Sequence, residues 1–365
     1  MAHHLKRMRC LALLAGLAAL LSTGAISLGD EPAADLRLVL AVTKPTVRPP
    51  STSLFLYDIA TSSRAQIHED ATEGRRILVK MGGSDIVGAG RAAREREIYV
   101  MMGPATVDSA LACSDTLSRV RPAAGEPKWE PIFFVPLCFS DASPYGLWNR
   151  APIFAVDQSE GRVALPALRV GETKLERPSI RVLSATGVEE WQIPLPGRWF
   201  HVTDLAWSPD GKQLAYAVLP EGDVHTLDES QLPNAGLYLA DIETRTTRLV
   251  YHCYVDALAW GPKAGQLSIA ARPRDIWDRA NVVRVITVPD GKKVEEFSAL
   301  AAIQALAYTD DGQWLAVQSV VEGGQAIWLY PAAGGWGRQV YNLPAGEGRL
   351  SLLGWVRIGE GVSEP

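Results

Sequence analysis

Histidine, cysteine and clustered carboxylates are the usual raw material of metal sites and acid–base machinery, and in this chain they are dispersed. His3, His4, His68, His201, His225 and His252 include no pair spaced like a metal-ligating motif, so neither a metal nor a resident cofactor is expected. Gly82-Gly83-Ser84-Asp85-Ile86 lacks the final glycine of a nucleophile elbow. Gly88-Ala89-Gly90 is followed by Arg91 to Arg96, with no glycine to seat a phosphate. The acidic turns Asp210-Gly211, Asp290-Gly291 and Asp310-Asp311-Gly312 hold too few carboxylates for a calcium loop and fit hairpin turns instead. No catalytic residue is assigned. Cys10 lies in the leader, which leaves Cys113, Cys138 and Cys253. They read either as buried small apolar residues or, for Cys113 with Cys138, as one disulfide in an oxidising compartment.

The elements that must position any site repeat along the chain. Val202 to Val218 reads V-T-D-L-A-W-S-P-D-G-K-Q-L-A-Y-A-V, two apolar runs around a Ser-Pro-Asp-Gly turn in which Pro fixes φ and Gly accepts positive φ. The unit returns at Val255 to Ala270 and Ile303 to Val317, and in degraded form at Ile153 to Leu165. Val156, Trp207, Trp260, Tyr308 and Trp355 fall at equivalent positions about 50 residues apart, which predicts packing between repeats rather than ligand stacking. A second motif recurs as well: Leu237 to Thr244 (L-Y-L-A-D-I-E-T) matches Leu54 to Thr61 (L-F-L-Y-D-I-A-T). Four short strands per repeat with no helical periodicity predict an all-β propeller of four-stranded antiparallel blades.

The count gives six blades, with seven as the alternative if residues 103–150 hide another. Asp85 to Gly90 is expected as one innermost strand, with Glu97 to Met101 as the second. Leu350 to Trp355 supplies an innermost strand for three outer strands at the N-terminal end, so one blade is shared between the termini and closes the ring.

W-S-P-D-G-K-Q-L-A-Y followed by G-L-Y-L-A-D-I-E-T resembles the WD40-like repeat of the TolB family, well over residues 150–356 and weakly over 36–150. The resemblance implies a periplasmic propeller, here without the family's N-terminal α/β domain. An export signal agrees with it. Lys6, Arg7 and Arg9 precede an apolar run from Leu11 to Leu21 and small residues up to Ala25, the pattern of a secretory signal peptide, with cleavage at 25 or as late as 29. An uncleaved N-terminal anchor is the alternative. The domains expected are a signal at 1–25, a linker at 26–35, one propeller at 36–358 and a tail at 359–365. After cleavage 33 basic residues face 41 acidic ones, a balance that disfavours nucleic acid, and no membrane span remains. The localisation expected is therefore periplasmic or extracellular.

Long connections from second to third strand run from Thr43 to Ser53, Val170 to Ser179, Leu219 to Gly236 and Ala271 to Asn281, and with the loops between blades they emerge on one face. That face is expected to carry Arg48, Trp148, Trp199, His201, His225, Arg272, Arg274, Trp277 and Arg279, aromatics interleaved with arginines as at protein interfaces. The function expected is that of a monomeric, exported, non-catalytic binding module for a protein, peptide or envelope component. A propeller hydrolase or lyase with a central-channel site is the second reading.

Overall fold

Short apolar runs bounded by Pro, Gly and Asp turns become strands in a computed structural model of the chain. It describes residues 32–44, 51–70, 75–81, 98–104, 115–121, 128–135 and 154–357, the last except 158, 168–177, 198–199, 221–228, 262, 274, 277, 289, 300 and 310. The chain divides into residues 1–34 and 35–365, and all the strands belong to the second unit. The expected signal and C-terminal tail lie outside the described residues.

The strands in chain order are β1 (Leu36–Lys44), β2 (Ser51–Asp58), β3 (Ser63–Asp70), β4 (Arg75–Met81), β5 (Ile98–Pro104), β6 (Asp115–Arg121) and β7 (Lys128–Val135). Then come β8 (Ala155–Val156), β9 (Val163–Ala167), β10 (Ser179–Leu183), β11 (Glu189–Pro194), β12 (Phe200–Trp207), β13 (Gln213–Pro220), β14 (Gly236–Asp241) and β15 (Thr246–Tyr251). The last group is β16 (Val255–Trp260), β17 (Gln266–Ala271), β18 (Val282–Thr287), β19 (Lys293–Ser298), β20 (Ala302–Tyr308), β21 (Trp314–Val321), β22 (Gly324–Pro331), β23 (Arg338–Pro344) and β24 (Arg349–Arg357).

Every pairing is antiparallel, in four-stranded sheets: β8–β11, β12–β15, β16–β19, β20–β23, and a fifth, in the order β24-β1-β2-β3, that joins the two ends of the chain. The shared closure expected from the repeat is present, with Leu36 opposite Arg357 and Thr43 opposite Arg349. Five blades are thereby described with their packing, where the repeat count predicts six with seven as the alternative. β4–β7 form a further four-stranded sheet described as backbone alone. Its first strand is Arg75–Met81, paired with Ile98–Pro104, and not the expected Asp85 to Gly90, which lies outside the described residues. The reason is local. R-R-I-L-V-K-M has the apolar Ile77, Leu78 and Val79 at its centre, opposite Val100 to Met102 of β5.

Adjacent blades are held together by the repeat's aromatic. The indole Nε1–H of Trp207 donates to the Ala155 carbonyl of the preceding blade at 3.1 Å, Trp260 to Ala206 at 3.1 Å, and Trp355 to Ala307 at 3.2 Å. Trp207 and Trp355 are fully buried. Tyr308 in the same position shares a hydrogen bond with Ser268 at 2.8 Å. These residues pack between blades, as expected. Polar side chains reinforce the seams: Thr203 Oγ1 donates to the Val255 carbonyl at 2.6 Å, and Asp204 accepts the Leu258 amide at 2.9 Å. Gln318 replaces a missing strand partner, donating to the Leu350 carbonyl and accepting from the Leu352 amide. The β18–β19 turn packs against β15 of the preceding blade: at Gly291, φ +68°, an added Cβ would lie 2.1 Å from the Val250 carbonyl.

Candidate functional site

The alternation of strand direction sorts the connections onto two faces. Turns from first to second and third to fourth strand lie on one, while second-to-third connections and the links between blades lie on the other. At that end β9 and β10 are separated by residues 168–178, β13 and β14 by 221–235, and β17 and β18 by 272–281, whereas only Glu322 and Gly323 separate β21 from β22.

A polar cluster sits at this end of the innermost strands. β12, β16 and β20 each carry a bulge at the same repeat position, leaving Thr203, Asp256 and Gln304 without a direct cross-strand partner. A bulge re-aims the extra side chain. Asp256 thereby receives Arg272 in a two-point grip, Nε to Oδ2 at 3.0 Å and Nη2 to Oδ1 at 2.7 Å. The same guanidinium donates to the Ile276 carbonyl, and the Arg272 amide donates to the Tyr254 carbonyl at 2.9 Å. Arg272 thus shapes the 272–281 loop. Burial raises the Tyr254 phenol pKa, and the Asp275 carboxylate adds to the shift. In the next seam His252 reaches the Leu232 carbonyl of the short 3₁₀ turn Glu229–Asn234 at 3.1 Å, tying one blade's long connection to the following link.

The second feature is a cleft of about 460 Å³ between the last repeat and the shared blade. Val42 and Phe55 form its apolar wall on the shared blade, and Leu343 faces them from β23. Lys44, Arg64 and Glu347 give it charge, and Ser53 and Gln66 complete the polar lining. The Arg64 guanidinium lies 5.1 Å from the Phe55 ring centroid, a cation–π contact. Elsewhere along the same seam Tyr57 donates to the Val340 carbonyl at 2.8 Å and packs edge-on against Tyr341 at 5.0 Å. Gly348 brings the β23–β24 turn against β1: at φ +136°, an added Cβ would lie 2.8 Å from the Thr43 carbonyl.

Of the residues expected on the binding face, Arg48, Trp148, Trp199, His225, Arg274 and Trp277 lie outside the described residues, as do Cys113 and Cys138. Arg279 is exposed. His201 belongs to β12, opposite Leu219, and is half-buried rather than borne on a loop; the strand begins at Phe200, whose burial in the seam extends the ladder. Arg272 is committed to Asp256 rather than free for a partner. Cys253 is a free, buried thiol that burial pushes up to about 12. Sequence reasoning missed the cleft and the acceptor role of Asp256. Arg64 and Phe55 stand nine residues apart on different strands and carry no spacing signal. Among the described residues no group of three or more His, Cys, Asp or Glu could hold a metal ion.

Radial antiparallel blades, a ring of innermost strands and pairing of the first and last strands define the protein as a β-propeller. Its fold is that of the TolB-like propellers. TolB from Acinetobacter baumannii superposes with a TM-score of 0.56 at 12% identity, over 88% of this chain and 66% of that one. The structure described as putative TolB from Agrobacterium tumefaciens gives 0.51 at 12% identity, over 88% and 99%. A chain from a nidogen/laminin complex gives 0.51 at 12% identity, over 88% and 97%. This chain thus spans about two thirds of the length of the Acinetobacter protein. At 12% identity the likeness is one of fold alone. No protein-family model and no curated protein matches the chain.

Proposed function

We propose that the protein is an exported, monomeric, six-bladed propeller, with β4–β7 as the sixth blade, that binds a protein, peptide or envelope component without catalysing a reaction. The binding face is the one that carries the second-to-third-strand connections. One observation carries this reading: the long connections leave a rigid ring on a single face, and functional residues concentrate on such loops. The apolar N-terminal segment with its basic start supports export, to the periplasm or beyond the cell. Among the described residues no helix is long and apolar enough to cross a membrane. The nidogen propeller was solved in a complex with laminin, so a ring of this shape can serve as a protein-binding module.

Retention of an envelope-extract partner by the immobilised mature protein tests the reading, with Arg274→Ala, Trp277→Ala and Arg279→Ala as loop variants. The partner is expected to be held by the wild type and lost from the variants. Equal retention by all forms would remove this face from consideration.

A further inference from the structure

We infer that the Asp256–Arg272 pair is the positioning element of the binding face, holding the 272–281 loop in the one shape in which it meets a partner. The inference rests on the proposed binding role and assigns a residue pair to it. The bonds made by Arg272 converge on the first half of the loop. Its guanidinium takes both carboxylate oxygens of Asp256, at 2.7 and 3.0 Å, and donates to the Ile276 carbonyl, while its amide donates to the Tyr254 carbonyl of the link before β16. Backbone bonds fix the other end: the Ala280 carbonyl accepts the Ile303 amide of β20, and the Asn281 carbonyl accepts the Ala299 amide at 2.8 Å. Ile276 and Ala280 are 5% and 2% exposed, so both shoulders are buried, while Asp275 and Arg279 stand exposed. The chain turns tightly there, with the Asp278 amide donating to the Asp275 carbonyl at 3.1 Å and the Asp275 amide to the Asp278 carboxylate at 3.2 Å. A tip fixed at both shoulders loses little freedom when a partner settles on it, which is how preorganisation strengthens binding.

The repeat shows why this blade uses an aspartate. At the same bulge position Thr203 donates to the Val255 carbonyl of the next blade, and Gln304 accepts from Gln318 within its own blade. Asp256 instead reaches the connection from second to third strand. In the Gln304 blade Glu322 and Gly323 suffice to turn the chain, whereas here residues 272–281 do so. A longer connection has more conformations to lose, and a two-point carboxylate–guanidinium grip fixes direction as well as distance. The two side chains are 15% and 17% exposed, so salt screens the pair weakly. Because the carboxylate sits on an innermost strand, the loop takes its position from the ring itself.

The test uses the full-length mature protein with Asp256→Asn, Arg272→Lys and both together. Tryptic cleavage of the Arg279–Ala280 bond under native conditions, followed by mass spectrometry, reads the loop. Trp207→Phe weakens a seam away from the loop and controls for lost global stability. Cleavage is expected to rise about tenfold in each single variant as the loop opens locally, and no further in the double, since both changes remove one interaction. In Trp207→Phe it should stay within about twofold of the wild type. The amount of envelope extract needed for half-retention of the partner should rise about tenfold in the pair variants and stay unchanged in Trp207→Phe.

Unchanged cleavage in the single variants, an equal rise in Trp207→Phe, or a double variant whose rise is the product of the two single ones would each overturn the inference. So would full retention of the partner by the pair variants. If Arg279→Ala still loses the partner in that case, the inference alone fails and the binding-face reading stands. If the wild type retains no partner, or every variant retains it fully, both fail.

Discussion

Replacing Trp355 by Phe isolates the hydrogen bond that ties the shared blade to its neighbour. The indole is fully buried, and its N–H is 3.2 Å from the Ala307 carbonyl, which is itself 2% exposed. Phenylalanine keeps most of the ring but leaves that carbonyl without its partner, a loss of about 1–3 kcal/mol for a buried polar group. The ring carbons removed add about 1–1.5 kcal/mol at 0.8 kcal/mol per buried methylene. The total is about 2–4 kcal/mol. Trp207→Phe removes the same clasp three seams earlier on the ring, 3.1 Å from the Ala155 carbonyl, and should cost a similar amount. Trp336 is the internal control, because it is 85% exposed on the β22–β23 turn, and Trp336→Phe should stay within about 0.5 kcal/mol. Urea unfolding followed by far-ultraviolet circular dichroism reads all three without depending on tryptophan fluorescence. If Trp355→Phe is no more destabilising than Trp336→Phe, the clasp contributes nothing and the account of ring closure is wrong.

Gly291→Ala forces a methyl to within 2.1 Å of the Val250 carbonyl at φ +68°, and should cost about 2–4 kcal/mol in the same assay. Gly323→Ala, also at positive φ but facing open space, should cost only about 1 kcal/mol. Arg272→Lys keeps the charge but loses the two-point grip on Asp256; thermal unfolding should show a loss of about 1–2 kcal/mol that conservation of charge does not prevent. Cys253 binds its proton more tightly in the folded chain, about 12 against an ordinary 9.0. Its contribution is therefore complete below pH 9 and disappears as pH climbs toward 12. The urea midpoint of wild type should fall more steeply between pH 8 and 10.5 than that of Cys253→Ala; parallel slopes would contradict this.

The propeller was legible because its signals are local and repeated. Ser208-Pro209-Asp210-Gly211 specifies a turn by backbone preference, and alternation on either side specifies a pleat with one buried face. Recurrence of Trp207, Trp260 and Trp355 marked the seams before any contact was known. The match of Leu54–Thr61 to Leu237–Thr244, with a lone innermost strand at the far end, even disclosed the shared blade. Between residues 71 and 153 the repeat is degraded, and the innermost strand was expected ten residues too late. The site was far less legible. Arg272 looked like a surface arginine until Asp256, re-aimed by a bulge, turned out to hold it.

Sequence alone therefore determined the four-stranded unit, its repetition and the pairing of the two ends, because each follows from preferences felt within a few residues. Tertiary structure alone decided that Arg64 lies on Phe55, that Leu343 faces Val42 across 300 residues of chain, and that Glu347 stands at the cleft between them. Those meetings depend on how neighbouring blades twist and pack, and no spacing along the chain encodes the distance between two faces that only ring closure brings together.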